Sequence, residues 1–335
     1  MHASQFERRY QTLRWLVDKR VARLAGKWES SDIEKGCRYV LRARGKRVRA
    51  ILLLLSCEAV GGHARNAVDA GAAVEAMHNF TLVHDDIMDN ADARRGRPTV
   101  HRKWDANTAL LVGDVLLGLA YKSVGKTDSN NLRKIISLFT EGLLEVCEGQ
   151  ALDLEFERRG SVSLDEYFVM IEKKTARLIS MSTELGGLLG NGTAQQVKQL
   201  YKFGRHLGRA FQLQDDLLDV AADEKKFGKT IGGDIIEGKK TFLLLTAWKR
   251  AVGGDKRFLG SIMQPKQASL LSSIAKQKRI ATVTALYEKY GVMGEARKQI
   301  ARETDAAVRA LAKLPHNRAT RMLGWFSDVL LHRTA

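Results

Sequence analysis

Two segments far apart in the chain carry aspartates at the same spacing. The aspartates are Asp85, Asp86 and Asp89 in the first segment, and Asp215, Asp216 and Asp219 in the second. Each set follows an apolar stretch of helical periodicity, and on a helix positions i and i+4 share a face with i+1 beside them. Like charges placed in this way destabilise a helix by roughly 0.2–0.5 kcal/mol per pair. The repetition of such an arrangement therefore indicates a chemical purpose.

Cations between the carboxylates would account for both clusters. Magnesium prefers oxygen ligands at about 2.0–2.1 Å and completes its octahedron with water and phosphate oxygens. We therefore predict a site for several Mg²⁺ ions, with all six aspartates as candidate ligands. A solvated helix end is the alternative for a single motif, but it leaves the second copy unexplained. A calcium loop of the EF-hand type does not fit, because its ligands alternate around a central glycine.

Basic segments flank the acidic ones. They are Gly45-Lys46-Arg47-Val48-Arg49, Arg94-Arg95-Gly96, Lys173-Lys174-Thr175, Gly228-Lys229 and Gly238-Lys239-Lys240. An acidic segment followed by a basic one occurs twice. This order suits a diphosphate held by metal on one side and by Lys or Arg on the other. Taken one at a time, each basic segment is equally consistent with a solvated surface.

The formal charge of +17 indicates an anionic partner, such as nucleic acid, a membrane surface or phosphorylated substrates. Nucleic acid is not supported, because no basic stripe interleaved with aromatic residues occurs in the sequence. His78 and His84 lack the Cys/His spacing of a zinc site. No Ser-His-Asp arrangement, Walker loop or dinucleotide fingerprint is evident in the sequence.

The elements that would position these residues are helices. Helical periodicity covers residues 67–89, 106–121, 132–156, 164–189, 194–220, 241–250 and 293–314. Strand-like alternation of useful length is absent from the sequence, and only three of the 335 residues are proline. We therefore predict one all-α domain spanning residues 1–335.

The N-terminal segment from Phe6 to Arg20 is basic and amphipathic. It predicts a helix packed on the rest of the protein, with a helix lying on a membrane surface as the alternative. Three cysteines without a Cys-x-x-Cys pair indicate a reducing compartment. The sequence shows neither a signal peptide nor an apolar run of about 20 residues. We therefore expect a cytoplasmic protein without a transmembrane segment.

Taken together, the motifs from Gly45 to about Thr241 resemble those of the trans-isoprenyl diphosphate synthases, or polyprenyl synthetases. The resemblance implies a single large helical bundle around a deep central cavity, assembled as a homodimer. It implies a Mg²⁺-dependent prenyltransferase that condenses isopentenyl diphosphate with an allylic diphosphate. A terpene cyclase would share the first motif, but it would not need a second set of diphosphate-binding bases such as Lys46, Arg49 and Arg95. A non-catalytic partner subunit of a prenyl synthase is the alternative outside enzymes, although such subunits tend to lose the acidic motifs.

The resemblance also implies a role for each motif residue. Magnesium bound to the allylic diphosphate would be held by Asp85, Asp86, Asp89 and Asp215, with Asp216 and Asp219 in support. The same diphosphate would be contacted by Arg94, Lys174, Lys229 and Lys239. Isopentenyl diphosphate would be bound by Lys46, Arg49, His78 and Arg95. The developing allylic cation would be steered by Thr175 and Gln212.

The helix before the first acidic motif bears on product length. Phe80 precedes Asp85 by five residues, which places it about 7.5 Å deeper at ~1.5 Å per residue. A ring there would act as the floor of the cavity. Thr81 stands in place of a second aromatic residue, and Met77 lies one turn further down, where the side chains leave space. Farnesyl-forming members of the family typically have two adjacent aromatics before this motif, or an expanded motif. The single aromatic resembles the archaeal-type geranylgeranyl synthases and favours a C20 product, with a C15 product or an ordinary core position for Phe80 as alternatives.

Overall fold

The computed structural model of the chain describes residues 3–43, 45–221, 232–264 and 272–331. Nearly all regular structure in these ranges is helical, which confirms the all-α prediction. The first helices in chain order are α1 (Ala3–Ala22), α2 (Ser31–Leu41), α3 (Val48–Ala59), a 3-10 turn (Ala64–Ala67), α4 (Val68–Met88), α5 (Val100–Lys103), α6 (Ala106–Val124) and α7 (Leu132–Arg158). The next are α8 (Leu164–Ile171), a π-helical segment (Glu172–Ala176), α9 (Arg177–Leu189), α10 (Ala194–Ala221) and α11 (Gly233–Glu237). The last are α12 (Phe242–Arg250), α13 (Gly253–Met263), α14 (Ser273–Lys289), α15 (Val292–Leu311) and α16 (Arg318–Leu331).

Several helices begin at a residue whose side chain satisfies free backbone N–H groups. Ser163 and Glu166 form a reciprocal capping box at the start of α8. Asp105 and Thr241 accept a hydrogen bond from a backbone N–H in the first turn of α6 and α12. These caps explain why helices begin close to the predicted positions.

The chain divides into two compact units. Unit 1 comprises Met1–Leu143, Leu178–Tyr201 and Leu311–Trp325. Unit 2 comprises Leu144–Arg177, Lys202–Ala310 and Phe326–Ala335. The assignment of residues 1–335 to a single domain stays a prediction.

The core of unit 1 is built around α3, whose central residues are apolar on every side of the helix. Residues 50–55 of this helix are fully buried. Gly186 of α9 lies so close to α3 that an added Cβ would meet the carbonyl oxygen of Leu53 at 2.2 Å. The apolar face of α1 is also buried at Leu13 and Val17, which confirms that the N-terminal helix packs on the protein. Within the described ranges, no helix combines the length and the apolar character needed to cross a bilayer.

Unit 2 has a core of its own that includes aromatic side chains. Tyr167 and Phe203 are almost completely buried, as is Tyr287 of α14. Phe168 and Phe242 pack edge to face with ring centroids 6.1 Å apart, which joins α8 to α12.

A short hairpin lies between α4 and α5, where the sequence shows only turn signals. Strands β1 (Ala93–Arg94) and β2 (Arg97–Pro98) pair antiparallel. Arg95 and Gly96 at its tip both adopt positive φ, at 54° and 71°. A turn with two positive φ values matches the twist of a tight hairpin. The expectation that no strand forms therefore fails at this one place, because the pairing is too short to leave an alternating pattern.

The burial of α3 makes its leucines decisive for stability. We expect Leu53→Ala to lower the free energy of unfolding by about 2–5 kcal/mol, because the deletion leaves a cavity in a closed core. Ile274→Ala is the matched control, since Ile274 is 78% exposed and its loss should cost no more than about 0.5 kcal/mol. Chemical denaturation measures both. Equal effects of the two substitutions would contradict the assignment of this core.

Candidate active site

The first acidic motif forms the last turn of α4. Asp89 caps the helix, and its N–H donates to the carbonyl oxygen of Asp85 at 2.8 Å. Asn90 follows in the left-handed region with φ 50°, and the N–H of Ala91 donates to the carbonyl oxygen of Asp86 at 2.9 Å. This termination confirms that the first motif lies at a helix C-terminus, where the helix dipole favours bound cations.

The three carboxylates of this motif have different environments. Asp86 is buried, and its Oδ1 accepts a hydrogen bond from Nε of Arg94 at 2.7 Å. Burial raises the pKa of Asp86, while the Arg94 guanidinium opposes that shift. Asp85 is half-buried and Asp89 is exposed. Arg94, predicted to contact a diphosphate, therefore also orients the middle carboxylate of the motif.

A basic cluster in unit 1 gathers residues predicted to bind isopentenyl diphosphate. Nη1 of Arg49 lies 3.0 Å from Nε2 of His78. Burial lowers the pKa of His78 well below its ordinary value, and the charges of Arg49, Arg95 and Arg94 lower it further. His78 is therefore a neutral imidazole at pH 7, and its Nε2 accepts the hydrogen bond from Arg49. The structure thus brings Arg49, His78 and Arg95 together.

Lys46 and Arg47 are neighbours in sequence, but they differ in burial and in their contacts. Lys46 is exposed, and its carbonyl oxygen accepts a hydrogen bond from the Tyr10 hydroxyl at 3.1 Å. Arg47 is buried and makes ion pairs with Asp18 at 2.8 Å and with Glu75 at 3.4 Å. Its backbone is left-handed with φ 50°. Arg47 therefore fixes the turn that precedes α3, whereas Lys46 presents its ammonium group at the surface.

The second acidic motif lies on α10 in unit 2 and repeats the pattern of one buried middle carboxylate. Asp216 accepts hydrogen bonds from the hydroxyl of Tyr167 at 2.6 Å and from Nε2 of Gln212 at 2.8 Å. Burial and the neighbouring Asp234 raise the pKa of Asp216 to about 7. Burial and Asp234 also raise the pKa of Asp219 to about 6. Asp215 is the exposed member of the set.

Thr175 and Gln212 are joined by a hydrogen bond. The hydroxyl of Thr175 donates to Oε1 of Gln212 at 2.8 Å, and the Gln212 amide nitrogen donates onward to Asp216. The donor at one end and the acceptor at the other fix the orientation of the Gln212 amide. The two residues predicted to steer a cation are therefore held by the acidic motif itself.

Lys174 and Lys239 lie among carboxylates in the same unit. Nζ of Lys174 is 2.5 Å from Oδ2 of Asp153. Burial would lower the pKa of Lys239, but Asp234, Asp153 and Asp216 outweigh it and hold this pKa above its ordinary value. One pocket in unit 2 is lined by Asp153, Tyr167, Met170, Ile171, Lys174, Thr175, Gln212, Asp216, Lys239, Lys240 and Thr241. It thus gathers five of the predicted site residues.

Some members of this pocket were missed from sequence, and one predicted residue lies outside the described ranges. Tyr167 gave no motif signal, because its partner Asp216 lies on another helix. Asp153 follows the Gly149-Gln150 pair by three residues, and Asp234 follows two glycines, so acidic residues near glycine were the available signal. The predicted site residue Lys229 lies outside the described residues.

The backbone around Lys174 is closely packed. A Cβ added to Gly149 of α7 would lie 2.2 Å from the backbone nitrogen of Lys174. Backbone cannot yield as a flexible side chain does, so only glycine permits this approach of α7 to the π-helical segment. Gly149 therefore contributes to the position of Lys174 without touching its ammonium group.

The donor chemistry of both motifs fits a hard divalent cation. Asp85, Asp89 and Asp215 supply carboxylate oxygens, which are the ligands that Mg²⁺ prefers. Within the described ranges, no group of three or more His, Cys, Asp or Glu side chains encloses a single metal position. Magnesium commonly uses only one or two carboxylates and takes its other ligands from phosphate and water.

The candidate chain-length residues lie on α4. Phe80 is buried, and its ring packs edge to face on His84 with centroids 4.7 Å apart. His84 in turn lies over Gly113 of α6, where an added Cβ would be 2.2 Å from Nε2. Met77 is fully buried, and the Thr81 hydroxyl donates to the carbonyl oxygen of His78 at 2.9 Å. Contact with His84 thus restricts how the ring of Phe80 can move.

An all-α fold with two aspartate motifs and their bases is that of an isoprenoid synthase, and the chain belongs to the polyprenyl synthetase family. The family model matches residues 30–281. A short chain isoprenyl diphosphate synthase of Methanothermobacter thermautotrophicus is 36% identical over 319 residues, which are 95% of each chain. A geranylgeranyl diphosphate synthase of Saccharolobus solfataricus is 42% identical over 70% of this chain and 72% of the relative. The protein is therefore a prenyltransferase.

Structural similarity agrees with the family assignment. The crystal structure of a geranylgeranyl pyrophosphate synthetase from Pyrococcus horikoshii superposes with a TM-score of 0.91 at 34% identity, covering 98% of this chain and 99% of the other. Relatives differ in the product that their names specify. A geranylfarnesyl diphosphate synthase of Natronomonas pharaonis is 33% identical over 89% of each chain. Family membership thus defines the reaction class more sharply than the product.

The raised pKa of Asp216 predicts how stability depends on pH in metal-free protein. The native carboxyl keeps its proton up to about pH 7, whereas the unfolded carboxyl ionises near its ordinary value of 3.8. The native state therefore binds the extra proton between these values, and its stability falls as pH rises through this window. We expect Asp216→Asn to gain stability relative to wild type as pH increases from 4 to 8.

Thermal unfolding in a chelating buffer across this pH range measures the effect. Asp215→Asn is the matched control, because Asp215 is exposed on the same turn of α10. A difference between Asp216→Asn and wild type that does not change with pH would contradict the assignment.

Proposed function

We propose that the protein elongates an allylic diphosphate with isopentenyl diphosphate, head to tail, to give geranylgeranyl diphosphate. The observation that carries this proposal is the pairing of acids and bases in each unit. Unit 1 combines Asp86 and Arg94 with the Arg49–His78 pair. Unit 2 combines Asp216 with Lys174 and Lys239 in one pocket. Together they provide carboxylates for metal and bases for two diphosphate groups.

In this proposal the acidic residues serve the leaving group. Asp85, Asp89 and Asp215 hold magnesium, with Asp86, Asp216 and Asp219 orienting them or binding directly. When bound, magnesium ions stabilise the negative charge that develops on the departing diphosphate. Arg94, Lys174, Lys229 and Lys239 neutralise the same group. The buried hydrogen bonds of Asp86 and Asp216 keep both motifs oriented before substrate arrives.

Other residues serve the acceptor and the cation. Lys46, Arg49 and Arg95 bind the diphosphate of isopentenyl diphosphate, and neutral His78 adds a polar contact. The Oε1 atom of Gln212, held by Thr175, offers partial negative charge to the allylic cation. The carbon–oxygen bond between the allylic carbon and the diphosphate breaks, and the double bond of isopentenyl diphosphate attacks the resulting cation to form the new carbon–carbon bond. The released diphosphate accepts the proton that is then lost, which yields the longer chain. Apolar surroundings protect the cation from capture by water.

The C20 length is the finer part of the proposal. It is supported by the single aromatic Phe80 before the first motif, with Thr81 beside it and Met77 one turn deeper. A farnesyl (C15) product is the alternative. A non-catalytic partner subunit is less well supported, because both acidic motifs are intact. The magnesium requirement, the homodimer and the cytoplasmic location stay predictions.

Incubation with Mg²⁺, isopentenyl diphosphate and C5, C10 or C15 allylic starters tests the reaction, with product length measured by chromatography. We expect elongation that stops at C20. Asp85→Ala and Asp215→Ala should each reduce turnover by orders of magnitude while circular dichroism retains the helical signal. If no starter gives a product, the alternative that the protein is a non-catalytic partner subunit would be favoured. Full Mg²⁺-dependent turnover in either variant would exclude the metal role of that aspartate.

Phe80→Ala tests the product length. Removing the ring takes away the proposed floor, so we expect products longer than C20 from the same starters. Product distribution is measured beside Phe139→Ala, a control that removes a fully buried ring from α7 in the same unit. An unchanged distribution in Phe80→Ala would show that Phe80 is an ordinary core residue.

A further inference from the structure

The π-helical segment Glu172–Ala176 carries both Lys174 and Thr175. It interrupts an otherwise continuous helical run between α8 and α9. π-Helical turns are rare and occur often at functional sites. Each residue of a regular α-helix turns by about 100°. Relaxation of this segment to α-helical hydrogen bonding would therefore rotate Lys174 and Thr175 relative to their partners Asp153 and Gln212.

The first residue of the segment is held by two arginines of α10. Oε1 and Oε2 of Glu172 accept hydrogen bonds from Nε and Nη2 of Arg205 at 2.6 Å and 2.9 Å. Nη2 of Arg209 lies 3.2 Å from the same carboxylate. Two parallel bonds from one guanidinium fix the direction of a carboxylate as well as its position. Glu172 is therefore tied in a defined orientation to the helix that also carries Gln212 and Asp216.

Arg209, one of these two arginines, is itself held in place by a residue of α15. Glu303 is buried, its Oε1 lies 3.5 Å from Nη1 of Arg209, and its Oε2 is 2.7 Å from Nδ1 of His206. The guanidinium of Arg209 also lies over the ring of Phe168, 5.1 Å from its centroid. Arg209 is thus constrained on several sides. This gives a structural purpose to Glu303, in a part of the chain without motif signals.

Glycines on two neighbouring helices also constrain the segment. An added Cβ on Gly208 of α10 would lie 2.4 Å from the Cα of Ala176, and Gly149 approaches Lys174 in the same way. These contacts fix how closely α7 and α10 approach the segment. Ion pairs also restrain its rotation. Lys173 pairs with Glu148 and Lys174 with Asp153, each at 2.5 Å, and Glu172 adds the bidentate contact with Arg205.

We infer that Glu172, Arg205 and Arg209 are positioning residues of the prenyl transfer, an inference that rests on the proposed function of Lys174 and Thr175. They hold the π-helical segment against α10, so that Lys174 stays at Asp153 and Thr175 stays at Gln212. None of the three touches a substrate in this inference. Side chains of Arg205 and Glu172 are 34% and 27% exposed, and their bidentate contact belongs to a network with Arg209 and Glu303, so it contributes to folding as well as to position. A purely structural role and a positioning role differ in their effect on the kinetic constants.

Steady-state kinetics of Arg205→Ala test the inference. We expect kcat to fall by at least about tenfold, because small displacements of reacting groups have large effects on rate. The KM for the allylic diphosphate should rise, while the KM for isopentenyl diphosphate stays within about twofold, because the residues proposed to bind it belong to the Arg49–His78 cluster. A general loss of folding would instead lower the active fraction and leave both KM values unchanged.

Arg250→Ala is the matched control. Arg250 belongs to the same unit and pairs with Glu295 at 3.1 Å, with side chains 41% and 27% exposed. We expect its kinetic constants to stay within about twofold of wild type. Glu172→Gln retains the shape of the side chain and should reproduce the effect of Arg205→Ala. Combining Glu172→Gln with Arg205→Ala should add little to the larger single effect, because both break one contact.

The outcomes separate this inference from the proposed function. If wild-type protein gives no product with any starter, the proposed function fails. If wild type is active and Arg205→Ala behaves like Arg250→Ala, the positioning inference alone is overturned. Equal increases of both KM values in Arg205→Ala would overturn it as well. Should Arg205→Ala fail to fold, Arg205→Lys keeps the positive charge but lacks the two parallel nitrogen donors. We then expect a smaller fall in kcat and a smaller rise in the KM for the allylic diphosphate, with the KM for isopentenyl diphosphate unchanged.

Discussion

A buried carboxylate that must be matched by a donor from another element is the constraint on which each acidic motif depends. Asp86 and Asp216 are both largely removed from solvent. An unpaired carboxylate in such a place would be costly, so each is bound by groups brought from elsewhere in the chain. Arg94 of the hairpin reaches Asp86, while Tyr167 and Gln212 reach Asp216. The middle aspartate thus anchors each motif within its own unit.

The same constraint explains the electrostatic character of the bases. Lys239 lies among Asp234, Asp153 and Asp216, which keep it charged despite burial. Burial, assisted by the surrounding arginines, lowers the pKa of His78 and keeps it neutral. Lys239 therefore stays charged among carboxylates, whereas His78 stays neutral and can accept a hydrogen bond. Both states suit a protein that binds diphosphates and must avoid stray proton transfer near a reactive cation.

Close packing and ion pairs outside the acidic motifs also position candidate site residues. Gly149 permits α7 to approach Lys174, and Gly113 permits the ring of His84 to lie against α6 next to Phe80. The Glu172–Arg205 contact ties the π-helical segment to α10. In each case a side chain with a proposed role in the reaction or in product length is placed by a neighbour outside the acidic motifs. Family membership therefore indicates the reaction, while these neighbours position the side chains proposed to carry it out.

The sequence by itself determined the helical elements, the two aspartate sets and most of the bases. Their signals are local, because helical periodicity and the spacing of Asp85 and Asp89 depend on residues within a few turns. Tertiary structure alone decided that Asp86 and Asp216 are buried, that Tyr167 and Asp153 belong to the site, and that Glu172 is held by Arg205. It also decided the hairpin and the π-helical segment. The hairpin and the π-helical segment are too short to leave a periodic pattern. The Tyr167–Asp216, Lys174–Asp153 and Glu172–Arg205 contacts join residues distant in sequence, where no spacing rule specifies which side chains will meet.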